Sequence, residues 1–147
     1  MSKTEHKLVI EAKTENLDQV LEFVENRAVA LGGSPRALIQ INVAVEEIFV
    51  NVAQYAYRHL KEPDASGKLN LATIMVSEGD DPASLTITIE DHGIPFNPLE
   101  REDPDTTLSA DDRKIGGLGI FMVKKSMDEM KYEYRDGRNI LTFRKDL

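Results

Sequence analysis

The sequence predicts an α+β fold: a two-layer α/β sandwich with a mixed, mostly antiparallel sheet and helices on one face. Two observations predict this class. The apolar patterns give the element order β-α-α-β-β-loop-α-β-β, and tight turns join the strands that are adjacent in the chain. A doubly wound fold would instead place a helix between consecutive strands. We therefore expect extensive antiparallel pairing.

The first third of the chain predicts a strand and a helix. Residues 6–13 are short and apolar, which is typical of a strand. Residues 14–33 carry apolar side chains at helical spacing, with Thr14 or Asn16 as the N-cap candidate. The glycine pair 32–33 is expected to end this helix.

A long buried helix and two strands are predicted next. Ser34 is an N-cap candidate, and Pro35 suits the first position of a helix over residues 34–60. Because this segment is apolar over much of its circumference, we expect it to be buried. Residues 68–78 and 83–91 alternate or run apolar, which predicts two strands.

The remaining elements are a long loop, a helix and a closing hairpin. Residues 92–115 show little periodicity, and a loop of this length is usually a functional lid or disordered. We place the lid at about 94–116. A helix is expected at 117–130, followed by a hairpin about Asp136-Gly137, a strong turn signal.

Composition limits the classes of protein and of partner. The chain has 147 residues, which suits one domain over 1–147, and it has no cysteine, which excludes disulfides and thiolate metal sites. No apolar run approaches the length needed to span a bilayer. The net charge of −8 disfavours nucleic acid and anionic membranes as partners. We expect a soluble cytoplasmic protein.

The buried helix carries two polar side chains four residues apart. One narrow seam contains Gln40, Ala44, Glu47, Asn51 and Gln54. A carboxylate beside a carboxamide suits a hard cation such as Mg²⁺. The alternative is that Glu47 and Asn51 lie on the solvent edge of the helix.

Two further motifs fit a nucleotide. Asp91 ends a strand and can accept a hydrogen bond from an exocyclic amine such as that of adenine, and Gly93 lets a ligand come close. The stretch GGLGI, residues 116–120, leads into a helix whose free N–H groups could bind phosphate. The alternatives are an ordinary Asp-X-Gly turn and a flexible hinge or helix cap.

In order and spacing, these motifs resemble the GHKL ATPase superfamily, whose ATP-binding fold is of the Bergerat type. EEIFVNVAQYAY resembles its N box, DHGIPFNP its first glycine box and GGLGI its second. The chain is most similar to the small anti-sigma-factor serine/threonine kinases of the RsbW type. This resemblance covers nearly the whole chain.

The resemblance implies roles for individual residues. Glu47 would be the general base, and Asn51 would ligate Mg²⁺. Asp91 would bind the adenine amine, with Gly93 allowing its fit. Thr142 stands where the family has a threonine that supports this aspartate.

The resemblance also implies phosphate contacts. Gly117, Leu118 and Gly119 would offer backbone N–H groups to the phosphates. Arg113 and Lys114, at the end of the lid, could approach the γ-phosphate. Tyr55 stands where many relatives have histidine. The lid carries six acidic residues that would oppose binding unless they face solvent: Glu100, Glu102, Asp103, Asp105, Asp111 and Asp112.

The implied function is that of an ATP-dependent protein serine/threonine kinase using ATP and Mg²⁺. It would phosphorylate an anti-sigma-factor antagonist, bind a sigma factor, and could form a homodimer. The acidic lid leaves open a second function: a nucleotide-sensing module that sequesters a partner with little or no kinase activity. The ATP-binding half of a histidine kinase and a gyrase-like or MutL-like motor fit less well, because each needs a further segment.

Overall fold

The computed structural model describes residues 5–57, 70–80, 83–100 and 117–147. Its strands are β1 (Glu5–Glu11), β2 (Leu71–Asp80), β3 (Ala83–Asp91), β4 (Glu129–Arg135) and β5 (Arg138–Asp146). Its α-helices are α1 (Leu17–Ala30), α2 (Pro35–Asn51) and α3 (Gly117–Ser126). Short 3₁₀ turns at Thr14–Asn16 and Pro98–Glu100 and one π-helical turn at Val52–Ala56 complete the described elements.

The five strands form one sheet in the order β1-β2-β3-β5-β4. Each strand pairing among the described residues is antiparallel. The predicted α+β sandwich is confirmed, with a sheet that is antiparallel where a mixed one was expected. β5, the second strand of the last hairpin, lies between β3 and β4. β4, the first strand of that hairpin, therefore forms an edge of the sheet.

The core lies between the inner face of the sheet and the helices. Along β3, buried side chains alternate with half-buried ones, and Leu85, Ile87, Ile89 and Asp91 point inward. The predicted core side of this helix is buried, as shown by Ile41, Val45 and Ile48 in α2 and by Val52 in the π-helical turn that follows. Helices cover one face of the sheet because β2, β3 and β5 present mostly apolar side chains there, with Asp91 and Asn139 as the buried polar exceptions.

Several local predictions are confirmed. The Ser34 hydroxyl accepts a hydrogen bond from the Ala37 N–H at 3.2 Å, which caps α2. Gly32 follows α1 with φ +78°, a conformation that suits glycine. Asp136 and Gly137, at φ 54° and 75°, form the predicted hairpin turn.

Two helices end at least four residues before their predicted ends. α3 ends at Ser126, and Met130 belongs to β4 instead of the helix. The backbone N–H of Asp128 donates to the carbonyl of Arg144 at 2.9 Å, so pairing with β5 ends the helix early. α2 ends at Asn51, where the π-helical turn begins, and residues 58–60 of the predicted helix lie outside the described residues.

Candidate functional site

A cavity of about 340 Å³ lies between the end of α2 and the inner face of the sheet. Its wall is largely apolar, with Ile48, Val52, Ile89 and Leu141 among the lining residues. Polar groups reach it at a few points: Asn51, Asp91, Tyr55, Tyr132 and Asn139. A mostly apolar pocket of this size with a few converging polar groups is typical of a small-molecule site.

Asp91 provides a buried carboxylate at the floor of this cavity, with 5% of its surface exposed. Its Oδ1 accepts hydrogen bonds from the backbone N–H of Gly93 at 2.8 Å and from Nδ2 of Asn139 at 2.9 Å. Neither of these described bonds involves Oδ2, which leaves that oxygen to accept a hydrogen bond from a ligand. Burial raises the pKa of Asp91, while the two bonds and nearby His92 partly oppose the rise.

Asn139, which sequence reasoning missed, supports Asp91. The two residues are direct partners in the β3–β5 register, and both are buried. Thr142, predicted for this role, points to the opposite face of the sheet, where its hydroxyl lies 3.3 Å from that of Thr88. The expectation for Thr142 is thus wrong, because a strand alternates its faces and Thr142 is an odd number of residues from Asn139.

Gly93 is required by the close approach of two backbones. A Cβ at this position would lie 2.1 Å from the carbonyl oxygen of Ala56, in the π-helical turn. The adjacent N–H of Ile94 donates to that same oxygen at 3.0 Å. Tyr57 adds a second link, since its hydroxyl donates to the Leu71 carbonyl at 2.6 Å and accepts from the His92 N–H at 2.8 Å.

Glu47 and Asn51 lie one turn apart on α2, and both are half-buried. Asn51 lines the cavity. Glu47 lies against the first turn of α3: a Cβ on Gly119 would be 2.2 Å from its carboxyl carbon. Because both side chains are half-buried, the arrangement agrees better with the predicted polar seam than with the alternative of a solvent-exposed helix edge. It brings a carboxylate and an amide to the junction of α2, α3 and the cavity.

The remaining predicted residues divide into two groups. Gly117, Leu118 and Gly119 form the first turn of α3, whose N–H groups have no carbonyl partner within the helix itself. Lys114 and Arg113 lie outside the described residues, as does the 101–116 part of the predicted lid. Its described beginning, residues 94–100, borders the cavity through Ile94, Phe96 and Pro98.

Two observations bear on metals and membranes. The described part of the chain contains no group of three or more Asp, Glu or His side chains able to hold a metal ion. Mg²⁺ often needs only one or two protein ligands and keeps its waters, so the amide oxygen of Asn51 fits as a single ligand. None of the helices in the described ranges has the length and apolar character to cross a bilayer.

Tyr55 lies at the cavity mouth, where many relatives were expected to have histidine. Its side chain is 45% exposed and lines the pocket. Its phenol ring keeps an aromatic side chain in the cavity wall.

The chain matches known proteins over most of its length. The family described as "Histidine kinase-like ATPase domain" matches residues 10–145. The serine-protein kinase RsbW of Listeria monocytogenes serovar 1/2a is 24% identical over 114 residues, which are 75% of this chain and 67% of the relative. The serine/threonine-protein kinase BtrW of Bordetella bronchiseptica is 22% identical over 142 residues, covering 97% and 94%.

A solved structure shares the fold. The RsbU and RsbW domains of a Mycobacterium tuberculosis protein superpose with a TM-score of 0.66 at 12% identity, covering 98% of this chain and 32% of that one. The predicted resemblance is confirmed. The chain belongs to the histidine kinase-like ATPase domain family, within which it is similar to serine-protein kinases of the RsbW type.

Proposed function

We propose that this protein is an ATP-dependent protein serine/threonine kinase that acts as a cytoplasmic anti-sigma factor. Its substrate would be an anti-sigma-factor antagonist, and its second partner a sigma factor. One observation carries the proposal: a buried carboxylate, Asp91, forms the floor of an apolar cavity whose rim holds Asn51 and adjoins Glu47. The names of the similar kinases support a protein serine or threonine as the phosphate acceptor.

The cavity suits the adenine base of ATP. Its apolar walls would exclude water from the ring faces, and Oδ2 of Asp91 would accept a hydrogen bond from the exocyclic amine. A guanine would present a carbonyl oxygen to the same carboxylate, and the two acceptors would repel each other. We therefore expect adenine nucleotides to be preferred.

Phosphate and metal would bind where α2 meets α3. The first turn of α3 offers free N–H groups, and its helix dipole favours an anion. Asn51 would hold Mg²⁺ at the cavity rim. Bound Mg²⁺ would neutralise charge on the phosphates during transfer.

Glu47 is the proposed general base. It would accept the proton of a serine or threonine hydroxyl while that oxygen forms a bond to the γ-phosphorus and the bond from phosphorus to ADP breaks. Its half-buried position beside the first turn of α3 supports this role, because the γ-phosphate is expected at that turn. Phosphorylation would add nearly two negative charges to the antagonist and repel it from this acidic protein, freeing the kinase to bind the sigma factor.

A second candidate function is a nucleotide-sensing module that sequesters its partner without efficient phosphotransfer. The six acidic residues between Glu100 and Asp112 favour it, because they would repel a triphosphate. The cavity and Asp91 would serve both functions equally. A homodimer remains a prediction in either case, and we expect neither nucleic acid nor membrane as a partner.

The test is transfer of labelled γ-phosphate from Mg·ATP to an antagonist-type protein encoded beside the gene. Glu47→Gln should abolish transfer and leave ADP affinity within about threefold, because the base acts only in the chemical step. Glu46→Gln is the matched control, since Glu46 is the exposed neighbour on the same helix. Wild-type ADP binding without transfer would favour the sequestering module, and full transfer by Glu47→Gln would exclude Glu47 as the base.

A further inference from the structure

We propose that Asn139 is a positioning residue for nucleotide recognition, because one amide group holds both the Asp91 carboxylate and the backbone of residues 94–96. The inference rests on the proposed function, and it identifies a residue that supports the site proposed for the adenine ring. Asn139 is buried, with 6% of its surface exposed, and it follows the hairpin turn that joins β4 to β5.

The amide of Asn139 makes four hydrogen bonds. Its Nδ2 donates to Oδ1 of Asp91 at 2.9 Å and to the carbonyl of Ile94 at 2.8 Å. Its Oδ1 accepts from the backbone N–H of Phe96 at 3.0 Å and from the hydroxyl of Tyr132. An asparagine amide has two donor hydrogens and one acceptor oxygen with two lone pairs, so all of its capacity is used.

This pattern fixes the orientation of the amide. If the group were flipped, its oxygen would face the Asp91 carboxylate and the Ile94 carbonyl, while its NH₂ would face the Phe96 N–H. Each of those contacts would be repulsive, and the site is too buried for water to compensate freely. The amide therefore has one stable arrangement, and Asp91 is held with Oδ1 engaged and Oδ2 available.

The same amide reaches the beginning of the predicted lid. Ile94 and Phe96 follow Gly93 directly and line the cavity. A ligand that engages Asp91 would therefore stabilise the backbone at Phe96 through the shared Asn139 side chain. Recognition of the adenine ring by Asp91 would thus be coupled to the conformation of residues 94–96. This coupling does not require any ligand atom to contact Asn139.

The test combines amide hydrogen exchange by NMR with ADP affinity in the full chain. In wild type, Mg·ADP should slow exchange of the Phe96 amide. Asn139→Ala should speed that exchange in the free protein by about tenfold or more, weaken ADP binding by a similar factor, and abolish the effect of ADP on Phe96. The Leu38 amide, which donates to the Ser34 carbonyl in the first turn of α2, is the internal reference.

A second variant keeps the shape of the side chain. Asn139→Asp retains an acceptor for the Phe96 N–H but removes the donor to Asp91, so ADP affinity should fall while much of the Phe96 protection remains. Thr88→Val, on the opposite face of the sheet, is the control and should leave both measurements unchanged.

The outcomes separate the two proposals. A wild-type protein that binds no adenine nucleotide would refute the proposed function. If both Asn139 variants bind ADP as tightly as wild type does, and ADP still slows exchange of the Phe96 amide in them, the role of Asn139 is refuted while the proposed function stands. A purely structural role would lower the melting temperature but would leave the ADP-dependent protection of Phe96 intact.

Discussion

The carboxylate of Glu47 occupies the space that a side chain on Gly119 would need. A Cβ built on Gly119 would lie 2.2 Å from the carboxyl carbon of Glu47 and 2.3 Å from each of its oxygens. Because Gly119 has no side chain, there is room here for the Glu47 carboxylate and also for a phosphate that approaches the helix. Glycine is otherwise a poor choice inside a helix, where it costs up to about 1 kcal/mol relative to alanine.

Gly119→Ala should therefore displace Glu47 and slow phosphotransfer by roughly ten- to a hundredfold, with ADP affinity changed much less. Steady-state transfer and ADP titration would measure the two effects. In the Glu47→Gln background, Gly119→Ala should cause little further loss, because both changes act through one carboxylate. Lys125→Ala, on the exposed side of α3, is the control. Undiminished transfer by Gly119→Ala would contradict the proposed contact.

Asp91→Asn should separate stability from ligand binding. The new amide can still accept from Gly93 and Asn139 through its oxygen, but it would present NH₂ to the cavity, where an adenine amine needs an acceptor. ADP affinity should fall by about tenfold or more. Isothermal titration would measure this, and unchanged affinity would remove Asp91 from the base site.

The raised pKa of Asp91 gives this variant a pH signature. The native state holds a proton on Asp91 to higher pH than the unfolded chain does, so stability from this group is complete below the unfolded pKa. It is lost as pH rises through the native pKa. The unfolding free energy of Asp91→Asn minus that of wild type should therefore increase with pH above about 4. Urea titrations across that range would show it, and a difference independent of pH would contradict the raised pKa.

Gly93→Ala should destabilise the protein by about 1–3 kcal/mol and weaken ADP binding. The introduced Cβ would meet the carbonyl oxygen of Ala56 at 2.1 Å and its carbon at 2.5 Å, both of which are backbone atoms. Ala56→Gly removes only a Cβ, so combining it with Gly93→Ala should not restore stability. Recovery in the double variant, measured by urea unfolding, would show that the side chain was the obstacle.

Tyr57→Phe should cost about 1–3 kcal/mol, because it leaves the Leu71 carbonyl and the His92 N–H without their shared partner. Tyr134→Phe is a suitable control, since Tyr134 is 44% exposed. Denaturation midpoints of the two variants would test this. Equal midpoints would indicate that water replaces the Tyr57 hydroxyl.

Local signals predicted much of the fold. The Ser34 cap and the Asp136-Gly137 turn depend on neighbours within a few residues, so their chemistry can be read directly from the sequence. The apolar spacing of α2 also predicted which side is buried. The end of α3 could not be predicted this way, because it depends on the contact between Asp128, which lies between α3 and β4, and Arg144 in β5.

The site was predicted less completely. Glu47, Asn51, Asp91 and Gly93 belong to contiguous motifs. Asn51 and Asp91 line one cavity, and Glu47 and Gly93 lie one helical turn and two residues from them. Asn139 supports Asp91 from 48 residues away, and only the strand register identifies it. Counting outward from the hairpin turn would have placed Asn139 and Thr142 on opposite faces, but the partner strand β3 could not be aligned with β5 from the sequence.

The position of β5 in the sheet has a consequence for biosynthesis. This strand is made after β3 and β4, yet it lies between them and contributes Asn139 and Leu141 to the cavity. A nascent chain that still holds these residues in the ribosomal exit tunnel has only part of the pocket. If the cavity binds ATP as proposed, the nucleotide can stabilise the folded form only after translation has passed this strand, and chains truncated before it should gain no protection from nucleotide.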